Sequence, residues 1–486
     1  MQTKILKVLF FFLVISLSSC KKWLDITPKG KILLTSAQDY SLLFDAITYY
    51  DNTDIKYLDD EGWRNASNIS SVWNAWNLTA ANMLYLSNSD YDRSLNATGN
   101  GGTATTYYQS MYENISTIAN TIIAAKDDML GTEAEINTVV AEAKMLRAYC
   151  YFQLINVYAK PYDAATAATD GGVPLKLDPS IESIPEPAKN TVAEVYAQIE
   201  KDINEAIPDL NITAKTPYHF NKAAGYALKA KVHLFKKEYD ECIAAALESY
   251  NLNHQTFNLV SLVNATTHKP TMPLLATGVE NLFFATSSES TYICQEMITL
   301  YQSSLLAYGQ TSSTKDVRTD LYKRPSSSVK DYMFMLGWVP TSKEYSRNLA
   351  GLKTTEVMLM LAECYARKGQ NDKVKEYLQP YLESRYKNYV HANFVLPSDI
   401  TSTVQFVIGE RRKELVGGFN RFFDLKRLNT EVQYQKVPTR LFPADPIATP
   451  TIPQQTYTLP VNSPLYILPF PSKVLENDKR LTSNTW

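Results

Sequence analysis

Three tryptophans and several amides lie close together near the start of the chain, and their types suit the binding of a polar ring. Trp63, Trp73 and Trp76 fall within fourteen residues, interleaved with Ser and Asn side chains that include Asn74 and Asn77. A sugar has an apolar CH face and a rim of hydroxyls, so flat π-faces beside amides could hold it. Core packing is the alternative for each Trp. We predict that these five residues bind ligand.

A second aromatic stretch runs through a polar segment farther along the chain. It contains Tyr322, Tyr332, Trp338 and Tyr345. Binding residues concentrate on loops held by a rigid scaffold, so we add Trp338 to the predicted ligand-binding residues. Core packing remains the alternative here as well.

A search for catalytic motifs finds none of the common ones. The sequence has no G-x-x-x-x-G-K-[ST], G-x-G-x-x-G, H-E-x-x-H or G-x-S-x-G. We predict no catalytic residue, no cofactor and no metal site, and we interpret His233 as structural. Asp59, Asp60 and Glu61 form an acidic run that we interpret as a solvated turn, since charge runs usually face water. A pair of carboxylates for glycoside hydrolysis stays open, because such residues meet only in the fold.

Charge and composition exclude other partner classes. The 48 basic and 50 acidic side chains give a formal net charge of -2, so no global positive field attracts phosphate backbones. We predict no nucleic-acid partner. Apolar residues make up 45% and charged residues 20%, as in ordinary globular proteins.

The first residues predict export and lipid anchoring. Lys4 and Lys7 precede the apolar run 8–17, which is too short to span a bilayer as a helix. Small residues then lead to Cys20, in a pattern that resembles a bacterial lipobox. We predict a signal peptide over residues 1–19 and an acylated Cys20 that anchors the mature chain in a membrane.

Helical periodicity dominates the chain after residue 105. An apolar stripe predicts a helix over about 106–130. The capping boxes Thr132 to Glu135 and Thr191 to Glu194 predict helix starts, with ends near Tyr158 and before Pro208. Short strands are predicted over 281–286 and 465–469.

Two stretches resemble tetratricopeptide-like hairpins. Ala230 and Cys242, like Ala362 and Val374, are twelve residues apart with a short turn between them. Small side chains at that spacing let two helices pack closely. We predict such units over 221–250 and 354–385, and chance antiparallel helices would give the same pattern.

The end of the chain is rich in proline. Nine of the 23 prolines fall between Pro438 and Pro471, so this tract is predicted to be irregular or extended and to wrap over the helices. No long Gly/Ser linker divides the chain, and we predict one domain over 20–486. Four cysteines besides Cys20 are predicted to be buried free thiols: Cys150, Cys242, Cys294 and Cys364.

These features, taken in order, resemble the SusD/RagB family of outer-membrane nutrient-binding lipoproteins. The resemblance begins at Cys20 and covers nearly the whole chain. Its landmarks are the runs 20–28 (CKKWLDITP), 111–120 (MYENISTIAN), 141–152 (AEAKMLRAYCYF), 171–175 (GGVPL), 356–363 (EVMLMLAE), 410–415 (ERRKEL), 421–427 (RFFDLKR) and 466–471 (YILPFP).

The resemblance implies a mainly α fold, with tetratricopeptide-like helix pairs on one side, a loop-rich ligand-binding face and a few short strands. It also implies a partner, a SusC-like TonB-dependent transporter, and a location on the outer membrane facing the cell exterior. Lys21 and Lys22 depart from the acidic residues that often mark surface export in such lipoproteins. We interpret Glu410, Arg411 and Glu414 as helix-face ion pairs with a structural role.

Three functions remain open at this point. The first is a glycan-binding lipoprotein without enzymatic activity, which captures oligosaccharides or polysaccharides. In the second, a lipoprotein of the same family captures oligopeptides through backbone-type hydrogen bonds. The third is an exported, all-helical glycoside hydrolase.

Overall fold

The computed structural model describes residues 34–47, 60–61, 107–180, 184–263, 278–285, 295–322, 348–442 and 455–485, and these are mainly α-helical. The described helices are α1 (Ala37–Ser41), α2 (Tyr107–Glu113), α3 (Thr121–Ala124), α4 (Glu133–Tyr158), α5 (Val192–Ala206), α6 (Lys222–Lys236), α7 (Tyr239–Leu252), α8 (Val260–Val263), α9 (Gln295–Gln302), α10 (Arg318–Tyr322), α11 (Thr354–Arg367), α12 (Asn371–Arg385), α13 (Ile400–Glu414), α14 (Asn420–Leu428) and α15 (Ser472–Asn477). The described strands are β1 (Asn281–Phe283), β2 (Lys315–Asp316), β3 (Leu352–Lys353), β4 (Tyr386–Lys387), β5 (Thr439–Phe442) and β6 (Gln455–Thr458).

The predicted helix over 106–130 is present, with a wider turn in its middle. A π-helical segment, Asn114–Asn120, separates α2 from α3, and a 3-10 turn, Lys126–Asp128, ends the stretch. Ile115 and Ile122 from the predicted apolar stripe are fully buried. The sequence therefore predicts the helix and its buried face, although periodicity alone does not locate the π-turn.

Helices α4 and α5 begin at the two predicted capping boxes. Thr132 Oγ1 accepts a hydrogen bond from the Glu135 amide (3.3 Å), and Glu135 Oε2 accepts one from the Thr132 amide (2.8 Å). Thr191 and Glu194 repeat this exchange at α5. Each box satisfies amides that have no partner inside the helix, which fixes both starts.

A buried ion pair joins α4 to α5. Arg147 Nε and Nη2 donate to the two carboxylate oxygens of Asp202, at 2.8 and 2.7 Å. Arg147 Nη1 also donates to Asn120 Oδ1 in the π-helical segment (2.9 Å). The planar guanidinium thereby fixes three helical segments relative to one another.

The two predicted hairpins are present as α6 with α7 and α11 with α12. The residues predicted at the close contacts, Ala230, Cys242, Ala362 and Val374, are all fully buried. Gly369 closes the second hairpin with a φ of +69°, a conformation that glycine adopts without strain. Helices α7 and α11 also pack together, so the hairpins are neighbours in one continuous apolar core.

The strand predictions were half right. Strand β1 lies within the predicted range 281–286 and pairs with β3 in antiparallel fashion. The range 465–469 is not a strand, because residues 464–466 form a 3-10 turn. Pro464 sits in the first turn, and the Ser463 hydroxyl accepts a hydrogen bond from the Leu465 amide (3.2 Å). This turn chemistry outweighs the strand propensity of the apolar residues.

The described part of the proline-rich tract is extended and packs on the helices, as predicted. It holds the antiparallel hairpin of β5 and β6. Farther on, the Leu468 amide donates to the Val157 carbonyl of α4 (3.1 Å), and Phe470 stacks on Tyr158 with ring centroids 5.5 Å apart. The tract thus covers the carboxyl end of α4.

The prediction of buried free thiols is confirmed for the three cysteines among the described residues. Cys150, Cys242 and Cys364 are buried and free. Cys294 lies outside the described residues. Burial raises the pKa of the Cys150 thiol, so it stays protonated and behaves as a small apolar side chain.

Candidate ligand-binding site

The predicted site residues lie outside the part of the chain that the structure describes. The described residues instead show which parts of the helical body border the segments that contain the predicted site residues. We call residues 62–106 the Trp63 segment, 323–347 the Trp338 segment and 286–294 the middle segment. The predictions that therefore stay predictions are Cys20, Trp63, Trp73, Asn74, Trp76, Asn77 and Trp338.

Asp60 and Glu61 directly precede the Trp63 segment, and they are not solvated. Asp60 is 7% exposed and Glu61 is 3% exposed. The two carboxylate oxygens of Asp60 accept hydrogen bonds from Arg421 Nε (2.5 Å) and Nη2 (2.8 Å). The prediction of a solvated turn was wrong, because a bidentate guanidinium replaces water around the carboxylate.

The same contacts keep Asp60 charged. Burial alone raises the pKa of Asp60, but the positive charges of Arg421 and Arg412 outweigh that effect. The pKa of this carboxyl therefore lies well below its ordinary value, and the group is ionised at neutral pH. A buried ion pair therefore holds Asp60, two residues before the Trp63 segment.

Arg412, near the carboxyl end of α13, joins two of the three segments. Its Nη2 donates to the Asp60 carbonyl (2.9 Å), and its Nη1 donates to Glu296 Oε1 (2.8 Å). Glu296 belongs to α9, which follows the middle segment directly. The Gly417 amide adds a hydrogen bond to Glu61 Oε2 (3.1 Å). The described residues that border the Trp63 segment and the middle segment therefore contact the same arginine.

Asn348 connects the middle segment to the Trp338 segment. It directly follows the Trp338 segment, and its Oδ1 accepts hydrogen bonds from the amides of Ala285 (3.1 Å) and Gly351 (3.0 Å). Its Nδ2 donates to the Phe283 carbonyl (2.9 Å). Because Ala285 directly precedes the middle segment, one buried amide holds the end of one segment beside the start of the other.

The region where α13 is followed by α14 also contacts Leu349, two residues after the Trp338 segment. Asn420 Nδ2 donates to the Leu349 carbonyl (3.2 Å). Gly418 has a φ of +62°, and a Cβ placed on it would lie 2.4 Å from the Leu349 carbonyl oxygen. Only glycine fits here, because both the backbone conformation and the close approach exclude a side chain.

A fully buried arginine begins the helix that precedes the Trp338 segment. Arg318 opens α10, the helix that leads into this segment. It donates to the Asp316 carboxylate at 2.8 and 2.6 Å and to Glu414 Oε2 at 3.1 Å. Its Nη2 also lies 3.4 Å from Glu410 Oε2. Three carboxylates thus surround one guanidinium, and two of them belong to α13.

The charged face of α13 has the structural character predicted for it, but most of its partners were not the predicted ones. Arg411 donates to Asp424 Oδ2 (2.9 Å) and to Glu356 Oε1 (2.8 Å), which lie on α14 and α11. Glu414 accepts hydrogen bonds from Arg385 on α12. Within α13 itself the pair is Lys413 with Glu410. The network therefore joins helices to one another more than it stabilises one helix face.

We call residues 410–421 the platform. Its ionic side chains are buried and make ion pairs with groups from α9, α10, α11, α12 and the Asp60–Glu61 pair. A ligand cannot reach such groups without breaking those pairs. The described contacts of the platform are therefore structural, because they join elements of the fold to one another.

Sequence reasoning missed most of the platform's partners. Arg421 and Asp60 are 361 positions apart, and Asn348 and Ala285 are 63 apart. No local periodicity links residues at such separations. The sequence does hold one signal, because residues 410–427 combine many charged residues with apolar neighbours. Charged side chains that are buried among apolar residues need partners.

The fold defines a class of mainly helical proteins with paired helices and long connecting segments. Two models of one protein family match the chain in different parts. A SusD-like model, described as starch-binding and associating with the outer membrane, matches residues 22–234, and a SusD family model matches residues 329–486. The chain belongs to the SusD/RagB family, which confirms the resemblance seen in the sequence. No curated protein matches the chain.

Solved structures share the fold across almost their whole length. A SusD superfamily protein from Bacteroides thetaiotaomicron VPI-5482 is 18% identical with a TM-score of 0.64, covering 93% of this chain and 100% of its own. A SusD-like carbohydrate binding protein from Bacteroides vulgatus ATCC 8482 is 15% identical with a TM-score of 0.61, covering 88% and 89%. A SusD-like carbohydrate binding protein from Bacteroides fragilis NCTC 9343 is 14% identical with a TM-score of 0.59, covering 92% and 99%.

None of the described helices combines the length and the apolar character that a bilayer span requires.

Proposed function

We propose that this protein is a lipid-anchored, glycan-binding protein of the outer membrane that captures oligosaccharides without hydrolysing them. Membership of a family whose matching model is described as starch-binding supports the carbohydrate class. The polar and aromatic composition of the Trp63 and Trp338 segments supports the same class, because sugars bind through stacking and hydroxyl hydrogen bonds.

The distribution of tryptophan along the chain is the strongest support for this proposal. Four of the six tryptophans, Trp63, Trp73, Trp76 and Trp338, belong to two segments that are distant in sequence. A described residue beside each segment contacts the platform: Asp60 before the Trp63 segment and Leu349 after the Trp338 segment. A shared attachment favours a single aromatic surface, since scaffolded loops are where binding residues concentrate. We assign the stacking roles to Trp73, Trp76 and Trp338, with Trp63 beside them and Asn74 and Asn77 as hydroxyl partners.

The cellular part of the proposal rests on the amino-terminal sequence. An acylated Cys20 would tether the protein to the outer membrane, facing the cell exterior. From there it would pass its cargo to a SusC-like TonB-dependent transporter. Replacing Cys20 with Ala should release the protein from washed membranes into the soluble fraction. A variant that remains in the membrane pellet at the wild-type level would contradict lipid anchoring.

Native affinity electrophoresis tests the glycan class. The full chain is run through gels that contain soluble starch, xylan, pullulan or a host mucin glycan fraction, and we expect retardation by at least one of them. The matched control is Tyr218→Ala, which removes an exposed aromatic of the helical body (38% exposed) and should leave retardation unchanged.

The same samples separate the other two functions. Binding of a casein hydrolysate by calorimetry, with no retardation in any glycan gel, would show that the cargo is peptide. Release of reducing sugar from the retarding polysaccharide would show an enzyme. Either result would overturn the proposed function.

A further inference from the structure

A cluster of metal-ligand side chains lies on the helical body, within the described residues, and includes no residue of the platform. Glu200 comes from α5, His233 from the last turn of α6, and Glu238 from the turn after α6. Each offers one ligand atom, and these three atoms lie within 4.8 Å of one another. His233 is 9% exposed, so the cluster is a partly sheltered site.

The local backbone explains why His233 and Glu238 meet. Lys237 ends α6 with a φ of 64°, a left-handed conformation that turns the chain back on the helix. The Glu238 amide then donates to the His233 carbonyl (2.9 Å). The two side chains are brought together as well, with His233 Nδ1 2.6 Å from Glu238 Oε2. This half of the cluster is fixed by the helix end.

A lysine now holds the two carboxylates together. Lys236 Nζ lies 2.5 Å from Glu200 Oε1 and 2.8 Å from Glu238 Oε1. The two carboxylates and the one ammonium together carry a formal charge of about -1 at neutral pH. One negative charge is therefore left for a second cation. Lys236 Nζ also lies 5.4 Å from the centroid of the Tyr162 ring, which gives the ammonium a second favourable contact.

We propose that Glu200, His233 and Glu238 form a binding site for a divalent transition metal, with Zn²⁺ as the best-suited ion. One imidazole nitrogen and two carboxylate oxygens are ligands that Zn²⁺ takes, whereas Ca²⁺ and Mg²⁺ favour all-oxygen sites. Three protein ligands leave the fourth tetrahedral position to water. The ion displaces the ammonium of Lys236 toward Tyr162 and links α5 to the end of α6.

This inference does not depend on the glycan-binding function, since it uses no residue of the platform. The spacing of the three residues explains why no metal site was predicted from the sequence. Glu200 precedes His233 by 33 residues on a different helix, and His233 and Glu238 are five residues apart across a helix end. Neither spacing matches a metal motif.

Calorimetric titration of ZnCl₂ into the chelator-treated full chain tests the site. We expect saturable binding at one site per chain, and no such site for CaCl₂. His233→Gln keeps a hydrogen-bond donor for Glu238 but loses the imidazole, and should weaken Zn²⁺ binding by at least about tenfold. Lys236→Met removes the competing charge and should tighten binding about tenfold. His254→Gln, which changes an exposed histidine elsewhere, is the matched control and should bind as the wild type does.

Thermal unfolding keeps the test independent of heats of binding. Zn²⁺ should raise the melting temperature of the wild type and of His254→Gln, and should leave that of His233→Gln unchanged, because a ligand of the native state stabilises it by mass action. Equal Zn²⁺ affinity in the wild type and His233→Gln would overturn the proposal. So would binding that is seen only in Lys236→Met, since the lysine would then exclude the ion from the native chain.

Discussion

The helical hairpins and the platform hold their helices together by different means. In the hairpins, small apolar side chains such as Ala230 and Ala362 sit fully buried between helix axes. In the platform, Arg411, Arg412 and Arg421 are also buried but are paired with carboxylates from other elements. Apolar packing is non-directional, whereas a bidentate ion pair fixes both distance and orientation.

The two kinds of contact give the two regions different roles. A buried ion pair contributes little net stability, because desolvation offsets most of the attraction. Breaking one is nevertheless strongly destabilising, because the remaining charge is left without a partner. We infer that the hairpins supply stability, while the platform fixes the described residues that border the three segments.

The largest effect should come from removing the central charge of the Trp338 attachment. Arg318→Met leaves Asp316, Glu410 and Glu414 as buried carboxylates without this cation, and should lower the free energy of unfolding by about 3 to 5 kcal/mol. Urea unfolding measures the change. Lys373→Met, which breaks an exposed pair with Glu376, is the control and should change the free energy by less than about 1 kcal/mol. Equal effects would mean that the buried network is no stronger than a surface pair.

A cavity in the hairpin region should give a similar loss of stability with a different functional result. Leu361 is fully buried in α11, and Leu361→Ala should lower the free energy of unfolding by about 2 to 5 kcal/mol. The affinity per folded molecule for a retarding glycan should not change. Leu252→Ala, at a position 37% exposed, is the matched control and should have a much smaller effect. A specific loss of binding in folded Leu361→Ala would erase the distinction between the two regions.

A smaller loss of stability, with a loss of binding, is expected at the attachment of the Trp63 segment. Asp60→Asn keeps the shape but removes the charge that faces Arg421 and Arg412, and should lower the free energy of unfolding by about 1 to 3 kcal/mol. Because the start of the segment loses its anchor, glycan affinity should fall about tenfold, or by about 1.4 kcal/mol. Calorimetry on the folded variant measures this. Wild-type affinity would show that the platform does not position the binding residues.

The smallest change should be the response to mild acid. The positive charges around Asp60 and Glu414 outweigh the effect of burial and hold the pKa of both carboxyls below the ordinary 3.8 and 4.5. Their contribution to stability is complete above those ordinary values and is lost as the pH falls toward the lower folded-state values. Urea unfolding should therefore give nearly equal free energies at about pH 7 and pH 6, and a declining one below about pH 4. A free energy that rises as the pH falls would contradict the ion-pair account.

The sequence predicted the helix starts and the hairpins well because their signals are local. Thr132 and Thr191 start helices through residues three positions away, and Ala362 with Val374 marks a close helix contact from twelve positions away. These patterns act within one or two elements, so the sequence order alone reveals them.

The platform could not be predicted because its partners come from distant parts of the chain. Asp60 reads locally as part of a hydrophilic run, and only the fold brings Arg421 against it. Likewise, the prediction of a strand over 465–469 rested on apolar residues and was wrong, because Ser463 and Pro464 favour a turn there. The ligand-binding residues remain predictions for the same reason, since stacking geometry depends on how separate segments meet.

The most direct test of the central claim is calorimetry of Trp73→Ala with the glycan that retards the wild type in gels. A stacking side chain on the ligand surface should, when removed, weaken binding roughly tenfold while leaving the melting temperature near that of the wild type and of Tyr218→Ala. A core tryptophan would instead lower stability by about 3 to 5 kcal/mol. Wild-type affinity in Trp73→Ala, or a large fall in its melting temperature, would contradict the account.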